Sequence, residues 1–514
     1  MKRITSLDNI KKLDYHYWII IAIVIISYCV YLPKHFSIDS WNVQNMYMHF
    51  DQLQDGHFQA IWEEAKTTCF SSGRFTRGLI FLIFAITRNT CLLMQPGVNV
   101  IAILFMCLAG CRLWKIVNES LYAKGVDGEI LFLCCLLSIC NPFFTDWMQY
   151  IECQIYYPLA LFLAIVAAEI CMQSSSTKMV RWLCASALLV VSAGLYQIVL
   201  QFYVLVVILL LCRTKPAEKN ITSVISRMIF AISIYAVSAI VQVLFTNIIF
   251  HSNRVHIYSV QDIIQALLRA QASLWAMVPY TKNSISVLFP LLSIVLAWRC
   301  AIHIFQQKKS RITKLVLSVI RILGLYFAIF IPFLISELWF PQRSMVGFWS
   351  IPLLLAYLDI ELCMLQPTIK NNTCGKNLVI VLATVVLFSN VYSCIRFGTD
   401  LYKVNAMDTA RAQWLLNQIS DYEKTSGCDI TQIAFRQAEE PLYTYPGIVN
   451  SYENNQVAWS AEWNYTSILE LVGKRSFAQC DYPEDRYQIV RKEYNNFIED
   501  RISFEDDTAY VILR

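Results

Sequence analysis

GLIFLIFAIT, residues 78–87, is apolar from end to end but only about half as long as a bilayer-crossing helix. Arg88 and Asn89 follow it directly. If this segment crossed alone, every later loop would change sides and the basic clusters downstream would face outward. It is therefore read as a re-entrant or interfacial helix that closes a loop, an arrangement tolerated where the backbone is buried in protein. That reading sets the parity of the whole chain.

Upstream, Lys2, Arg3, Lys11 and Lys12 precede the apolar run Trp18–Leu32, which has no small-residue cleavage site after it. An uncleaved first helix is expected, with a cytoplasmic N-terminus and an outer loop over about residues 33–78. Downstream, apolar runs near crossing length lie at Val98–Trp114, Ile130–Phe144, Tyr157–Met172, Trp182–Tyr196 and Val199–Cys212. They continue at Ile225–Phe250, Ile285–Trp298, Leu315–Ile335, Val346–Cys363 and Asn377–Ile395. Basic residues alternate with this parity. Arg112, Lys115 and Lys124, Lys178 with Arg181, and Arg213, Lys215 and Lys219 fall inside. Arg299, Lys308, Lys309, Arg311 and Lys314 make the strongest inside loop, with Lys370 and Lys376 the last. Asn141–Tyr156, His251–Lys282 and Ser336–Arg343 are the outer loops.

Composition agrees. Of 514 residues, 57% are hydrophobic and 15% charged, against about a quarter charged in ordinary soluble domains, so lipid must solvate most of the chain. A net charge of +5 with no basic, aromatic-interleaved patch argues against nucleic acid as a partner. Many of the 18 cysteines lie inside apolar runs, among them Cys107, Cys111, Cys134, Cys135 and Cys212, where they act as small hydrophobes. No zinc-type spacing of Cys or His appears, so no structural metal is expected.

The composition turns polar after Arg396. Asp408–Ser420 reads as an amphipathic helix with Ala410, Trp414, Leu415 and Ile419 as its apolar positions. Ile430–Phe435 and Tyr510–Leu513 read as short strands, and Cys428 and Cys480 are placed to pair in an oxidising compartment. The expected fold class is an all-α polytopic membrane protein of about 11–12 transmembrane helices, with a small α/β extracytoplasmic C-terminal domain. The boundary is set at residues 1–397 and 398–514.

Chemistry-bearing residues collect in the outer loops. Asp39, in Phe36-Ser37-Ile38-Asp39-Ser40-Trp41-Asn42, stands just beyond the first helix; it is either a helix cap or a catalytic base. The second outer loop, NPFFTDWMQYIE at 141–152, brings Asp146 and Glu152, the latter close to membrane depth, where an ionisable group is functional by default. Arg74 and Arg77 in Gly73-Arg74-Phe75-Thr76-Arg77-Gly78 suit a lipid-linked phosphate, because a guanidinium forks onto phosphate oxygens; lipid anchoring is the alternative. Arg343 breaks the inside-positive pattern, as a phosphate ligand or as the ion-pair partner of Glu337. Tyr196, Gln197 and Gln201 interrupt apolar helices, to bond sugar hydroxyls or to tie helices together. His251, Arg254 and His256 match no metal spacing. A carboxylate that takes a proton from an acceptor hydroxyl while phosphate leaves the opposite face of a sugar is the base of inverting glycosyl transfer.

These motifs, with GLYQIVLQFY at 194–203, resemble the phage-type O-antigen glucosyltransferases that convert serotype, over roughly residues 15–360. The resemblance implies the GT-C class and an undecaprenyl-phosphate sugar donor, undecaprenyl-phosphate glucose, made by a partner glycosyltransferase and flipped by another protein. It implies a lipid-linked O-antigen acceptor on the periplasmic side of a bacterial inner membrane. Asp39 would match the catalytic acid of the first outer loop, and Glu152 or Asp146 the second acid. Some GT-C members bind a divalent metal, magnesium or manganese, between such acids, and others bind none. Two features depart from the family pattern: Gly73-Arg74-Phe75-Thr76 replaces Gly-Arg-Pro-Leu, and Asp39 has no acidic neighbour. The rival readings are an O-antigen polymerase, which would lean on outer-loop arginines, and a lipid-linked sugar flippase, which would carry charges along a cavity within the helices.

Overall fold

A computed structural model describes residues 14–50, 57–87, 95–121, 126–151, 153–173, 177–211, 221–250, 259–277, 287–306, 311–330, 341–364, 373–449, 455–493 and 500–514. Glu152, Glu337, His251, Arg254 and His256 lie outside the described residues.

The first helix, α1 (Tyr15–Tyr28), leads through a turn to α2 (Ser40–Phe50), α3 (His57–Thr68) and α4 (Phe75–Ile86). Helix α5 (Gly97–Leu121) then runs back along α1. Asn99, near the start of α5, donates to the carbonyls of Tyr31 at 2.7 Å and Leu32 at 3.0 Å, just past the end of α1. The chain thus leaves and re-enters the bundle at one end. Helix α4 spans about 18 Å at 1.5 Å per residue, well short of a ~30 Å hydrocarbon core. Its Phe84 packs on Ile151, as Phe36 does, at that same end, and Leu79, Ile83 and Ile86 are exposed along one side. The segment 78–87 therefore does not carry the chain across.

Then follow α6 (Val126–Ile139), the single turn-and-a-half α7 (Thr145–Gln149), α8 (Tyr156–Met172), α9 (Lys178–Leu195), α10 (Leu200–Leu211), α11 (Ile221–Val243) and α12 (Val260–Met277). Helices α13 (Leu288–Gln306), α14 (Arg311–Phe330) and α15 (Ile351–Met364) complete the bundle before α16 (Thr373–Ser426). Among the described residues, 8 helices are long and apolar enough to cross a membrane, and Tyr15–Tyr31, Tyr156–Met172 and Gln197–Leu211 are shorter apolar helices of the same bundle.

Three charges used above to set the parity, and Arg321 beside them, are paired inside the bundle. Arg112 bonds Glu169, Arg299 donates to Asp359 at 2.9 Å, Arg321 to Glu361 at 2.7 Å, and Lys376 lies 2.7 Å from Asp127. Each pair joins two helices. Such pairs fix helix register, because removing one partner strands a buried charge.

Helix α16 is continuous through residue 397, so one rigid element of about 80 Å belongs to both the bundle and the polar region. Its far end packs on a four-stranded sheet of order β2-β1-β4-β3, formed by β1 (Gln432–Gln437), β2 (Ala478–Cys480), β3 (Arg501–Glu505) and β4 (Thr508–Leu513). β1 runs parallel to β2 and β4, with Gln432 opposite Thr508, while β3 and β4 are antiparallel. Helices α17 (Tyr465–Gly473) and α18 (Glu484–Glu493) complete this α/β unit. The buried stripe of α16 is Asp408, Ala412, Leu415 and Ile419; Ala410 and Trp414, expected inside, are exposed. The expected phase slipped because a carboxylate, Asp408, occupies a core position, accepting from Tyr445 Oη at 2.8 Å and the Ala458 amide at 3.2 Å. Cys428 and Cys480 are free thiols rather than a pair.

Because α1 ends and α5 begins at one end, cysteines placed at the exposed positions Lys34 and Gly97, in a background without native cysteines, will both react with a membrane-impermeant maleimide from the same side. Labelling from opposite sides would mean that α4 crosses.

Candidate active site

The Asp39 turn is built by its neighbours and not by its carboxylate. Ser37 Oγ accepts from the Ser40 amide, and Ser40 Oγ accepts from the Ser37 amide, both at 3.2 Å, a reciprocal cap that starts α2. The capping role open to Asp39 is therefore filled by serine. Helix α16 holds the preceding residues with one face. An added Cβ at Gly398 would stand 2.3 Å from Val30, Tyr402 Oη donates to the Val30 carbonyl at 2.9 Å, and Asn405 bonds Phe36 in both directions at 2.7 and 2.8 Å. On the other side His35 lies 3.1 Å from the Met148 carbonyl, which ties the first outer segment to the second.

In that second segment Asn141 works at both helix ends. Its side-chain oxygen accepts from the Phe143 amide at 3.2 Å, with Pro142 at the first position, while its amide nitrogen donates to Leu137 O and Ser138 O. The turn that follows buries Asp146 and Trp147. The Trp147 indole donates to the Arg343 carbonyl at 3.0 Å, and Asp146 faces the Arg343 charge and backbone N–H. Gln201 holds the same segment, donating to Ser344 O at 2.6 Å and accepting from the Gly347 amide at 2.9 Å. It is fully buried and used up by these bonds, so it positions Arg343 and is not a sugar ligand.

Aromatic rings line the cations. Tyr157 and Tyr196 stack with centroids 3.7 Å apart; Arg74 lies over Tyr196 at 5.5 Å, Arg77 over Tyr156 at 5.8 Å and Arg343 over Tyr150 at 5.0 Å. Guanidinium over a ring face is favourable and leaves the in-plane N–H fork available. Gln197 donates to Ser72 O at 2.7 Å and to Gln242 at 3.2 Å, and so fixes the turn that carries Arg74.

Asp39 is partly exposed at this site. Burial pushes its carboxyl above the ordinary carboxylate range, while the Arg343 charge, a hydrogen bond from Trp463 and the Arg77 charge pull it back. The structure thus brings together Asp39, Asp146, Arg74, Arg77, Arg343 and Tyr196, with Gln197 and Gln201 as supports. Tyr150, Tyr157, Trp147 and Trp463 join them without having been singled out in the sequence. The motif around Asp146 contained Trp147 and Tyr150, but Trp463 carries no local signal. Among the described residues no three His, Cys, Asp or Glu side chains gather as metal ligands. Asp39 and Asp146 share a guanidinium as neighbour, and no step is assigned to a metal.

Fold and site together define a polytopic membrane protein with a cationic, aromatic-walled site at one end of its bundle. The profile of the glucosyl transferase GtrII family matches residues 60–362, and the chain belongs to that family. The matched residues include Arg74, Arg77, Asp146, Tyr196 and Arg343, and leave out Asp39 and the C-terminal unit. No curated protein and no solved structure matches the chain.

Gly73 sits at φ 73°, and a Cβ there would lie 2.6 Å from Gln242 Oε1 and 2.9 Å from Gln197 Nε2. Gly73→Ala will therefore displace Arg74 and lower sugar transfer by about tenfold or more, since left-handed backbone alone costs ~1–2 kcal/mol. Initial rates on protein of matched amount check this; unchanged rates would free Arg74 of any role.

Proposed function

We propose that this glycosyltransferase moves a hexose, glucose in the first instance, from undecaprenyl phosphate to a lipid-linked O-antigen acceptor at the periplasmic face. The observation that carries the reading is that Asp39, a partly exposed carboxylate, sits in the field of two cations, Arg343 and Arg77. In the reaction the acceptor hydroxyl loses its proton to Asp39 as its oxygen bonds the anomeric carbon. The bond from that carbon to the phosphate oxygen breaks on the opposite face, and the leaving phosphate keeps the electron pair. Arg343 and Arg77, with Arg74, hold the growing negative charge, which is where preorganised cations act most strongly. Asp146 keeps the Arg343 side chain in place, and Glu152 is assigned to orienting the acceptor. The N-terminus is assigned to the cytoplasm, with a partner enzyme and a flippase supplying the donor.

Asp39→Asn keeps the shape and removes the base. Transfer of labelled glucose from polyprenyl-phosphate glucose should fall by about a hundredfold or more, the usual contribution of a general base, with protein amount unchanged. Retained transfer would sink the assignment.

The pH profile gives a second test. Asp39 must be ionised to act, so kcat falls as pH drops through its raised pKa, above the usual value of about 3.9. Arg343 favours the ionised form; Arg343→Gln removes that help, so the acid limb moves to higher pH. Arg343→Lys keeps the charge but not the fork, and should leave the limb in place while raising the KM for donor. A limb that does not move in Arg343→Gln would separate the two residues.

A further inference from the structure

Trp463 is a large aromatic that the fold does not use. It is 57% exposed, whereas its neighbours Trp459 and Tyr465 are buried in the core of the C-terminal unit. It is nevertheless held at a fixed place. Asn464 beside it is fully buried and donates to the carbonyls of Ile38, at 2.5 Å, and Ala458, at 3.2 Å. Three residues on, Ser467 Oγ lies 3.3 Å from Asn42 Oδ1 and 3.4 Å from Asn45 Nδ2, which pins α17 to α2. These bonds bracket Asp39 from both sides. They set the indole beside the Asp39 carboxylate, whose ionised form it favours, and more than half of the Trp463 side chain stays open to solvent.

The direction of the reaction gives this ring a role. Displacement at an anomeric carbon puts the incoming hydroxyl and the leaving phosphate on opposite faces. Arg74, Arg77 and Arg343, set in the bundle among Tyr150, Tyr156 and Tyr196, mark the phosphate side. Trp463 comes to Asp39 from a different part of the protein, the C-terminal unit, and is held there by the Asn464 bond to Ile38. An exposed indole presents a flat apolar face with one polar edge, the surface on which the C–H face of a pyranose packs.

We propose that Trp463 is the platform of the acceptor-sugar subsite, so that the C-terminal unit selects the acceptor and the bundle selects the donor. This rests on the glycosyltransferase reading above. Two substitutions separate the ring from its N–H. Trp463→Ala loses both, and Trp463→Phe keeps a ring. The assay uses purified full-length protein, polyprenyl-phosphate glucose, and a polyprenyl-pyrophosphate-linked oligosaccharide as acceptor probe.

Trp463→Ala should raise the KM for acceptor roughly tenfold, the scale of one lost ring contact, and move the acid limb of kcat upward as the hydrogen bond to Asp39 is lost, while the KM for donor stays near wild type. Trp463→Phe should restore most of the acceptor KM and shift the acid limb of kcat upward, because only the hydrogen bond to Asp39 is gone. An unchanged acceptor KM in Trp463→Ala, or a donor KM raised in the same proportion, overturns the platform while leaving the base in place. Full transfer by Asp39→Asn would bring down the underlying reading, and the platform with it.

Discussion

Arg343 must be held among tyrosine rings and beside two carboxylates at one end of an apolar bundle. Removing a guanidinium from water costs several kcal/mol, and that cost is offset only where anions, carbonyls and ring faces converge. Much of the surrounding structure answers this requirement. Trp147 takes the Arg343 carbonyl, Gln201 holds the residues just after it, Tyr150 lies under the side chain, and Asp146 faces its charge. What remains of the positive field is directed at Asp39 and the space beside it. A site with three arginines around two described aspartates keeps a surplus positive charge, which suits a substrate that arrives as a phosphate ester.

The second constraint is the long helix α16. Its lower part is a member of the bundle, its middle grips residues 30–36 through Gly398, Tyr402 and Asn405, and its end supports the sheet. A carboxylate on a short turn after a transmembrane helix would otherwise have no fixed position. With α16 on one side, His35 on another and Asn464 on a third, the turn is held by all the parts of the protein that converge on the site. Asn464, which opens an Asn-x-Thr sequence, is thereby committed to structure and not to glycan attachment.

How much of this the sequence disclosed follows from the range of each interaction. The length of GLIFLIFAIT is a local feature, and it marked the segment after which the chain returns to the end of α1. Outer-loop charges were likewise visible one by one. The nearness of Asp39 to the Arg343 charge was not, because more than three hundred residues separate them and no periodic pattern links them. Gln201 shows a different limit: a buried amide looks the same in sequence whether it bonds a ligand or a backbone. Asp359 and Glu361 were hidden because an apolar run averages over them, and Asp408 shifted the apparent stripe of α16 by standing where an apolar residue was expected. Trp463 lies in a stretch with no motif, and only the fold puts it beside Asp39.

The central claim is that one end of the bundle holds the donor phosphate on arginine with Asp39 facing the sugar. A structure of the Asp39→Asn protein with bound polyprenyl-phosphate glucose tests it most directly. The account predicts phosphate oxygens within hydrogen-bond distance of Arg343 and Arg77, and the anomeric carbon turned toward residue 39. Phosphate density elsewhere, among Arg299, Asp359 and Lys376, would contradict it.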